Sequence, residues 1–84
     1  MPYRIILHPY VTEKTMAEME KHNRIQFMVS KKANKKQIAW AFEKIFEVKV
    51  ANVNTLNRKE GKLAMITLKP EYSAEEIGMR IGIF

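Results

Sequence analysis

This chain of 84 residues contains no cysteine, and that absence excludes disulfides, thiolate nucleophiles and thiolate-bound metals together. Only three glycines are present, and none forms the Gly-rich loop that cradles a phosphate. Ile5–Leu7 is the one continuous apolar run near the N-terminus, far shorter than a signal-peptide core or a spanning helix. We therefore expect an intracellular, soluble protein with no membrane insertion and no cofactor.

Positive charge is what the chain has in excess, with 15 Lys or Arg against nine Asp or Glu and a formal net charge of +6. Residues 1–36 carry eight basic side chains against three acidic ones, residues 37–70 six against three, and residues 71–84 one against three. At 46% hydrophobic the chain is not a disordered tail. The length and this charge gradient predict a single domain over residues 1–84 that places one side on a polyanion such as RNA.

The densest positive charge lies between Ser30 and Lys36, in a segment without an acidic residue. Its basic side chains are Lys31, Lys32, Lys35 and Lys36. Ammonium groups this close repel one another, and each phosphate that they neutralise releases condensed counterions. The segment therefore predicts a nucleic-acid contact, although lysines in a solvated turn also serve solubility alone.

Hydrophobic spacing and capping residues predict seven elements along the chain. Thr12, Asn34 and Ser73 are the predicted N-caps, with Ser73 and Glu76 forming a capping box. The alternation of apolar residues in Arg24–Ser30 is typical of a strand. The predicted strands are Tyr3–Leu7, Arg24–Ser30, Val48–Asn57 and Lys62–Leu68, and the helices end near His22, Glu47 and Gly82.

The order strand, helix, strand, helix, strand, strand, helix predicts an α+β domain. We expect a single, mostly antiparallel four-stranded sheet with helices on both faces. Lys62–Leu68 is apolar on both of its faces, which indicates that both are covered. A covered sheet argues against RNA bases that stack on an open sheet face.

Several short motifs together resemble the universal large-subunit ribosomal protein twenty-three family. The residues that carry the resemblance are His8, Pro9, Val11–Lys14, Ala33–Lys35, Val53–Thr55, Lys69–Glu76 and Ile81–Phe84. The order and spacing of these motifs are preserved from about Ile5 to the last residue. The short connection Arg58–Lys62 resembles the compact archaeal or eukaryotic type, because bacterial relatives have a long hairpin there.

The resemblance implies a structural constituent of the cytoplasmic large ribosomal subunit. Such a protein binds large-subunit rRNA near the polypeptide exit tunnel, beside ribosomal protein twenty-nine. It contributes to docking nascent-chain factors such as the signal recognition particle. It has no small-molecule substrate.

Carried onto this chain, the resemblance and the charge pattern predict a set of rRNA-binding residues. They are Thr12, Lys14, Lys31, Lys32, Asn34, Lys35, Lys36, Asn54, Thr55, Asn57, Arg58, Lys59 and Lys62. A helix cap alone is the favoured explanation for Thr12 and an alternative explanation for Asn34. Lys35 and Lys36 fall in a first helical turn, where cations oppose the helix dipole, so stability alone does not favour lysine there.

Trp40 lies nearly opposite the apolar stripe of its helix, beside Lys36 and Lys44. We therefore predict an exposed indole that contacts a protein or RNA, and we assign it as a possible protein-partner contact. Tyr10 either stacks on a ligand or packs in the fold.

An alternative function is a small basic phosphate-ester or acyl-phosphate hydrolase, which would also lack cysteine. Such an enzyme needs a convergent pocket. His8 and His22 are separated by a whole predicted helix and have no matched carboxylate or metal-ligand spacing. The residue pattern therefore disfavours an enzyme, and we predict no catalytic residues and no metal site.

Overall fold

The computed structural model describes residues 2–82, and side chains from Arg4 to Gly82. Eight elements follow one another along the chain. They are α1 (Pro2–Ile5), β1 (Ile6–Pro9), α2 (Glu13–His22), β2 (Arg24–Val29), α3 (Lys35–Phe46), β3 (Val50–Arg58), β4 (Gly61–Leu68) and α4 (Ala74–Arg80). Within residues 2–82, none of these helices has both the length and the apolar character to cross a bilayer.

The first predicted strand is wrong over most of its length. Tyr3 belongs to the helical turn α1, and β1 begins only at Ile6 and continues through Pro9. Proline is favoured in a first helical turn, so Pro2 is compatible with α1. Pro9 is the last residue of β1, and proline is tolerated there because β1 is an edge strand.

The four strands form one sheet in the order β1-β2-β4-β3, and every neighbouring pair is antiparallel. The α+β class and the sheet are therefore confirmed. Helix α3 covers one face, where the Phe27 and Phe42 rings meet edge to face with centroids 5.6 Å apart. Helix α2 approaches the opposite face of β2, where Gln26 donates a hydrogen bond to Glu18.

The apolar stripe of α3 is buried against the sheet as its spacing predicts. Ile38, Ala41 and Phe42 are all 0% exposed. The helix begins after Asn34 and ends at Glu47, which adopts a left-handed conformation with φ 55°. Burying large side chains in this way contributes about 1.5–3 kcal/mol each, so α3 is held as a rigid element.

Asn23 connects the end of α2 to the start of α4, at the end of the sheet that lies opposite the lysine-rich segment. It is left-handed at φ 53° and ends α2. Its Nδ2 donates to the Tyr72 carbonyl oxygen at 2.8 Å, and its Oδ1 accepts from the Ala74 amide at 2.8 Å. The Ser73 hydroxyl caps α4 by accepting from the Glu76 amide at 3.3 Å, so one half of the predicted capping box is present.

Candidate RNA-binding surface

The lysine turn, defined as residues Ser30–Lys36, connects β2 to α3 and is held by its own backbone. The Ser30 amide donates to the Ile5 carbonyl oxygen at 2.8 Å, and the Ala33 amide donates to the Ser30 carbonyl oxygen at 3.1 Å. Ala33 is buried. All the lysines of this turn remain exposed: Lys31, Lys32, Lys35 and Lys36. A fixed backbone thus presents four cations to solvent.

Lys62 connects the lysine turn to the hairpin between β3 and β4. Its Nζ donates to the Ala33 carbonyl oxygen at 2.8 Å, and its side chain is half-buried. Lys62 also faces Val29, the last residue of β2, in the sheet register. The lysine turn and the hairpin therefore lie at the same end of the sheet, and Lys62 is partly engaged within the protein.

Arg58 brings a third segment to this end of the molecule. Its Nε lies 3.3 Å from Oε2 of Glu60 within the hairpin. Its guanidinium carbon lies 5.3 Å from the centroid of the Tyr10 ring, within the range of a cation–π contact. Tyr10 is half-buried, so it packs against the hairpin and leads directly into Thr12 and Lys14.

Thr12 and Asn34 both act as helix caps. The Thr12 hydroxyl accepts from the Thr15 amide at 3.1 Å, and Asn34 Oδ1 accepts from the Gln37 amide at 2.8 Å. In return, the Thr15 hydroxyl accepts from the Thr12 amide, and Gln37 Oε1 accepts from the Asn34 amide. The capping interpretation is therefore confirmed for both residues. Lys14 is exposed in the first turn of α2.

The polar residues late in β3 divide between the two faces of the sheet, because successive strand residues alternate. Thr55 pairs with Ala64 and Asn57 with Lys62 on the α3 face, whereas Asn54 pairs with Met65 on the other. Asn54 and Asn57 are exposed, and Thr55 is half-buried. Lys59 is exposed in the turn of the hairpin.

Asn52 is a polar residue of this region that the sequence motifs do not single out. It is exposed and lines a groove of about 250 Å³ between α3 and β3, together with Lys35, Lys36 and Ala39. The register shifts between Val50 and Asn52, so regular strand alternation could not have placed this residue beside α3. The groove extends the positive surface from the lysine turn along the outside of α3.

Trp40 is 45% exposed, which confirms the prediction that its indole does not belong to the core. The two histidines lie on separate elements, as predicted. His8 is exposed in β1, with Nδ1 3.2 Å from the Pro9 carbonyl oxygen, and His22 is exposed in the last turn of α2.

Comparison with known proteins identifies relatives of this chain. The family described as Ribosomal protein L23 matches residues 4–69. The large ribosomal subunit protein uL23 of Picrophilus torridus is 52% identical over 79 residues, covering 94% of this chain and 96% of the relative. The uL23 proteins of Methanothermobacter thermautotrophicus and Methanobrevibacter smithii are 44% and 48% identical. They cover 99% and 98% of this chain, and 98% and 96% of their own length is matched.

A small basic α+β domain whose charged segments converge on one end has the charge pattern that is typical of nucleic-acid-binding proteins. The chain belongs to the ribosomal protein L23 family. The resemblance inferred from the motifs is thus confirmed, although Ile83 and Phe84, which contribute to it, lie outside the described residues. This family is structural rather than catalytic, so the prediction that the chain is not an enzyme is also confirmed.

Proposed function

We propose that this chain, a structural constituent of the cytoplasmic large ribosomal subunit, binds large-subunit rRNA with the end of the sheet that carries the lysine turn. The convergence of three basic segments is the observation that carries the proposal. Lys62 links the hairpin to the lysine turn, and Arg58 links it to the segment that begins at Tyr10. Segments far apart in sequence thereby form one cationic surface.

The side chains of this surface suit different parts of an RNA. Exposed ammonium groups neutralise phosphates; they belong to Lys14, Lys31, Lys32, Lys35, Lys36 and Lys59. The amides of Asn54 and Asn57 offer both a donor and an acceptor, so they can address a ribose hydroxyl or a base edge. Arg58 is held by Glu60 and Tyr10, which fixes the plane of its guanidinium before RNA arrives.

Four of the predicted residues are less exposed or already bonded within the protein, so their main contribution is to hold other parts of this surface in place. They are Thr12, Asn34, Thr55 and Lys62. The hydroxyl of Thr12 and the amide oxygen of Asn34 already accept backbone hydrogen bonds. Their role in the proposal is to hold the helix starts that present Lys14, Lys35 and Lys36. Lys62 has two ammonium protons beyond the one given to Ala33, so it can contact a phosphate at the junction.

The proposal places this surface near the polypeptide exit tunnel, beside ribosomal protein twenty-nine. The remaining outer surface then contributes to docking nascent-chain factors such as the signal recognition particle. Family membership supports this location. The hairpin is compact, because only Lys59 and Glu60 separate β3 from β4, so it cannot extend far into a tunnel.

Sedimentation of a cell extract at moderate salt tests the large-subunit assignment. The native protein is expected to migrate with large subunits and to leave them as the salt concentration rises, because counterion release weakens the contact. A free 9.9 kDa species under low-salt conditions would contradict the proposal.

Cross-linking in intact ribosomes tests which end of the sheet faces the rRNA. A photoreactive residue in place of Lys59 is expected to form cross-links with rRNA. The control position is Glu75 on α4, which is exposed but lies outside the cationic surface. Cross-links to rRNA from Glu75 but not from Lys59 would reverse the proposed orientation.

A further inference from the structure

Trp40 is an exposed aromatic side chain on a rigid helix. Its indole is 45% exposed, whereas Ile38, Ala41 and Phe42 on the other side of α3 are 0% exposed. Capping hydrogen bonds fix both ends of the helix. The ring is therefore presented to solvent from a backbone that the core holds in place.

Positive charge surrounds this ring along the helix surface. Lys36 and Lys44 lie four residues before and after Trp40, so all three share one face, with roughly 6 Å along the helix axis between neighbours. Both lysines are exposed. The nearby Glu43 carboxylate is engaged with the Val50 amide at 2.8 Å, so it is directed toward β3. Glu47, seven residues on, is the remaining exposed acid at this end of the helix.

The surroundings of Trp40 suit RNA better than a protein interface. A protein interface usually has an apolar centre made of several side chains within a polar rim. Among residues 4–82, the other large exposed hydrophobic residues all lie outside α3; they are Leu7, Val11, Leu56 and Met79. A single aromatic ring between two cations matches the sites at which proteins stack one base and neutralise the adjoining phosphates.

We infer that Trp40 stacks on an unpaired base of the large-subunit rRNA, while Lys36 and Lys44 neutralise the phosphates on either side. Lys36 also belongs to the lysine turn and lines the groove beside Asn52, so this contact continues the proposed rRNA surface along α3. The inference rests on the proposed function and adds a base contact to a surface otherwise argued from charge.

Trp40 is the only tryptophan, so its emission reports on this contact without a label. The purified protein is titrated with large-subunit rRNA, and indole fluorescence is recorded with tyrosine unexcited. A base stacked on the ring is expected to quench the emission at the same RNA concentrations that saturate binding. Binding with full salt dependence but unchanged emission would overturn the inference and leave the proposed function intact.

Substitutions give a second, independent readout. Trp40→Ala is expected to weaken rRNA binding on the order of 5- to 100-fold, because each stacked base contributes at this scale. The slope of affinity against salt should stay the same, since no charge is removed. Trp40→Phe should restore part of the affinity, and Met79→Ala, a 62% exposed residue on α4, serves as the control.

Three results separate the possibilities. Equal affinity for wild type and Trp40→Ala would overturn the stacking contact. An emission change that needs an added protein, such as the neighbouring ribosomal protein, would assign Trp40 to a protein interface instead. Failure of the wild type to bind rRNA at any salt would overturn the proposed function together with this inference. The fluorescence titration uses the unaltered protein, so it remains decisive even if Trp40→Ala is poorly folded.

Discussion

The first turns of α3 and α4 both follow an N-cap side chain that accepts a backbone hydrogen bond, but they carry opposite charge. Asn34 and Ser73 each accept a hydrogen bond from the amide three residues later, at 2.8 and 3.3 Å. Lys35 and Lys36 then open α3 without an acidic residue in its first turn, whereas Glu75 and Glu76 open α4. The N-cap hydrogen bond is therefore common to the two helices, although only α3 has the reciprocal bond of a capping box, and the sign of the charge in the first turn is opposite.

The helix dipole explains why this difference is informative. Anions near a helix N-terminus stabilise it and cations destabilise it, by about 0.3–1 kcal/mol each at the surface. The acidic start of α4 thus contributes to folding stability, while the lysines of α3 reduce it. The proposed rRNA contact accounts for a cost of this kind at α3 and not at α4, because a polyanion favours lysines at a helix start.

Reversing the charge at α3 should give the largest effect and act on binding and stability in opposite directions. Lys35→Glu with Lys36→Glu is expected to lower rRNA affinity about a hundredfold near 0.1 M salt, because each phosphate contact contributes roughly tenfold there. The melting temperature should rise, since the new anions complement the dipole. Anisotropy titration and thermal unfolding by circular dichroism measure the two quantities. A lower melting temperature with unchanged affinity would contradict the comparison.

Removing the N-cap side chains should have a smaller effect. The two helices should lose a similar free energy of unfolding, but only the change at α3 should lower the affinity for rRNA. Asn34→Ala and Ser73→Ala are each expected to lower the free energy of unfolding by about 1 kcal/mol. Asn34→Ala should also weaken rRNA binding, because the fraying turn carries Lys35 and Lys36. Denaturant unfolding and rRNA titration of both variants provide the test, with Ser73→Ala as the matched control. An equal drop in rRNA affinity for both variants would show that the position of the cap is irrelevant.

Neutralising the acids of α4 should have the smallest effect. Glu75→Gln with Glu76→Gln is expected to lower the free energy of unfolding by about 0.5–1 kcal/mol, since two favourable dipole interactions are removed. Affinity for rRNA should change less than twofold, because α4 lies outside the proposed surface. Chemical denaturation together with rRNA titration would check both parts. A large gain in affinity would place α4 against the RNA.

Much of this architecture follows from local signals in the sequence. The spacing of Ile38, Ala41 and Phe42 predicts the buried face of α3, and Asn34 predicts where it begins. The alternation in Arg24–Ser30 predicts β2. Each of these features depends on residues that are close together in the sequence, so it can be predicted without knowledge of the tertiary fold.

The features that sequence reasoning missed depend on contacts between distant segments. Tyr3–Leu7 resembles a strand, but its first residues form a helical turn that packs against α3. The Tyr10–Arg58 contact and the Lys62–Ala33 hydrogen bond join residues 48 and 29 positions apart. The tertiary fold brings these residues together, since Tyr10 and Ala33 lie outside the strands. The charged residues could therefore be selected from the sequence, whereas their convergence on one end of the sheet could be seen only in the folded structure.

The salt dependence of rRNA binding tests the central claim most directly. Wild type is compared with a variant in which Lys31, Lys32, Lys35 and Lys36 are all alanine, and the logarithm of the binding constant is plotted against the logarithm of salt concentration. The steepness should fall by roughly 0.7–0.9 for each phosphate that the variant no longer neutralises, so by about 3 if all four lysines bind phosphates. Identical slopes for the two proteins would remove the lysine turn from the RNA interface.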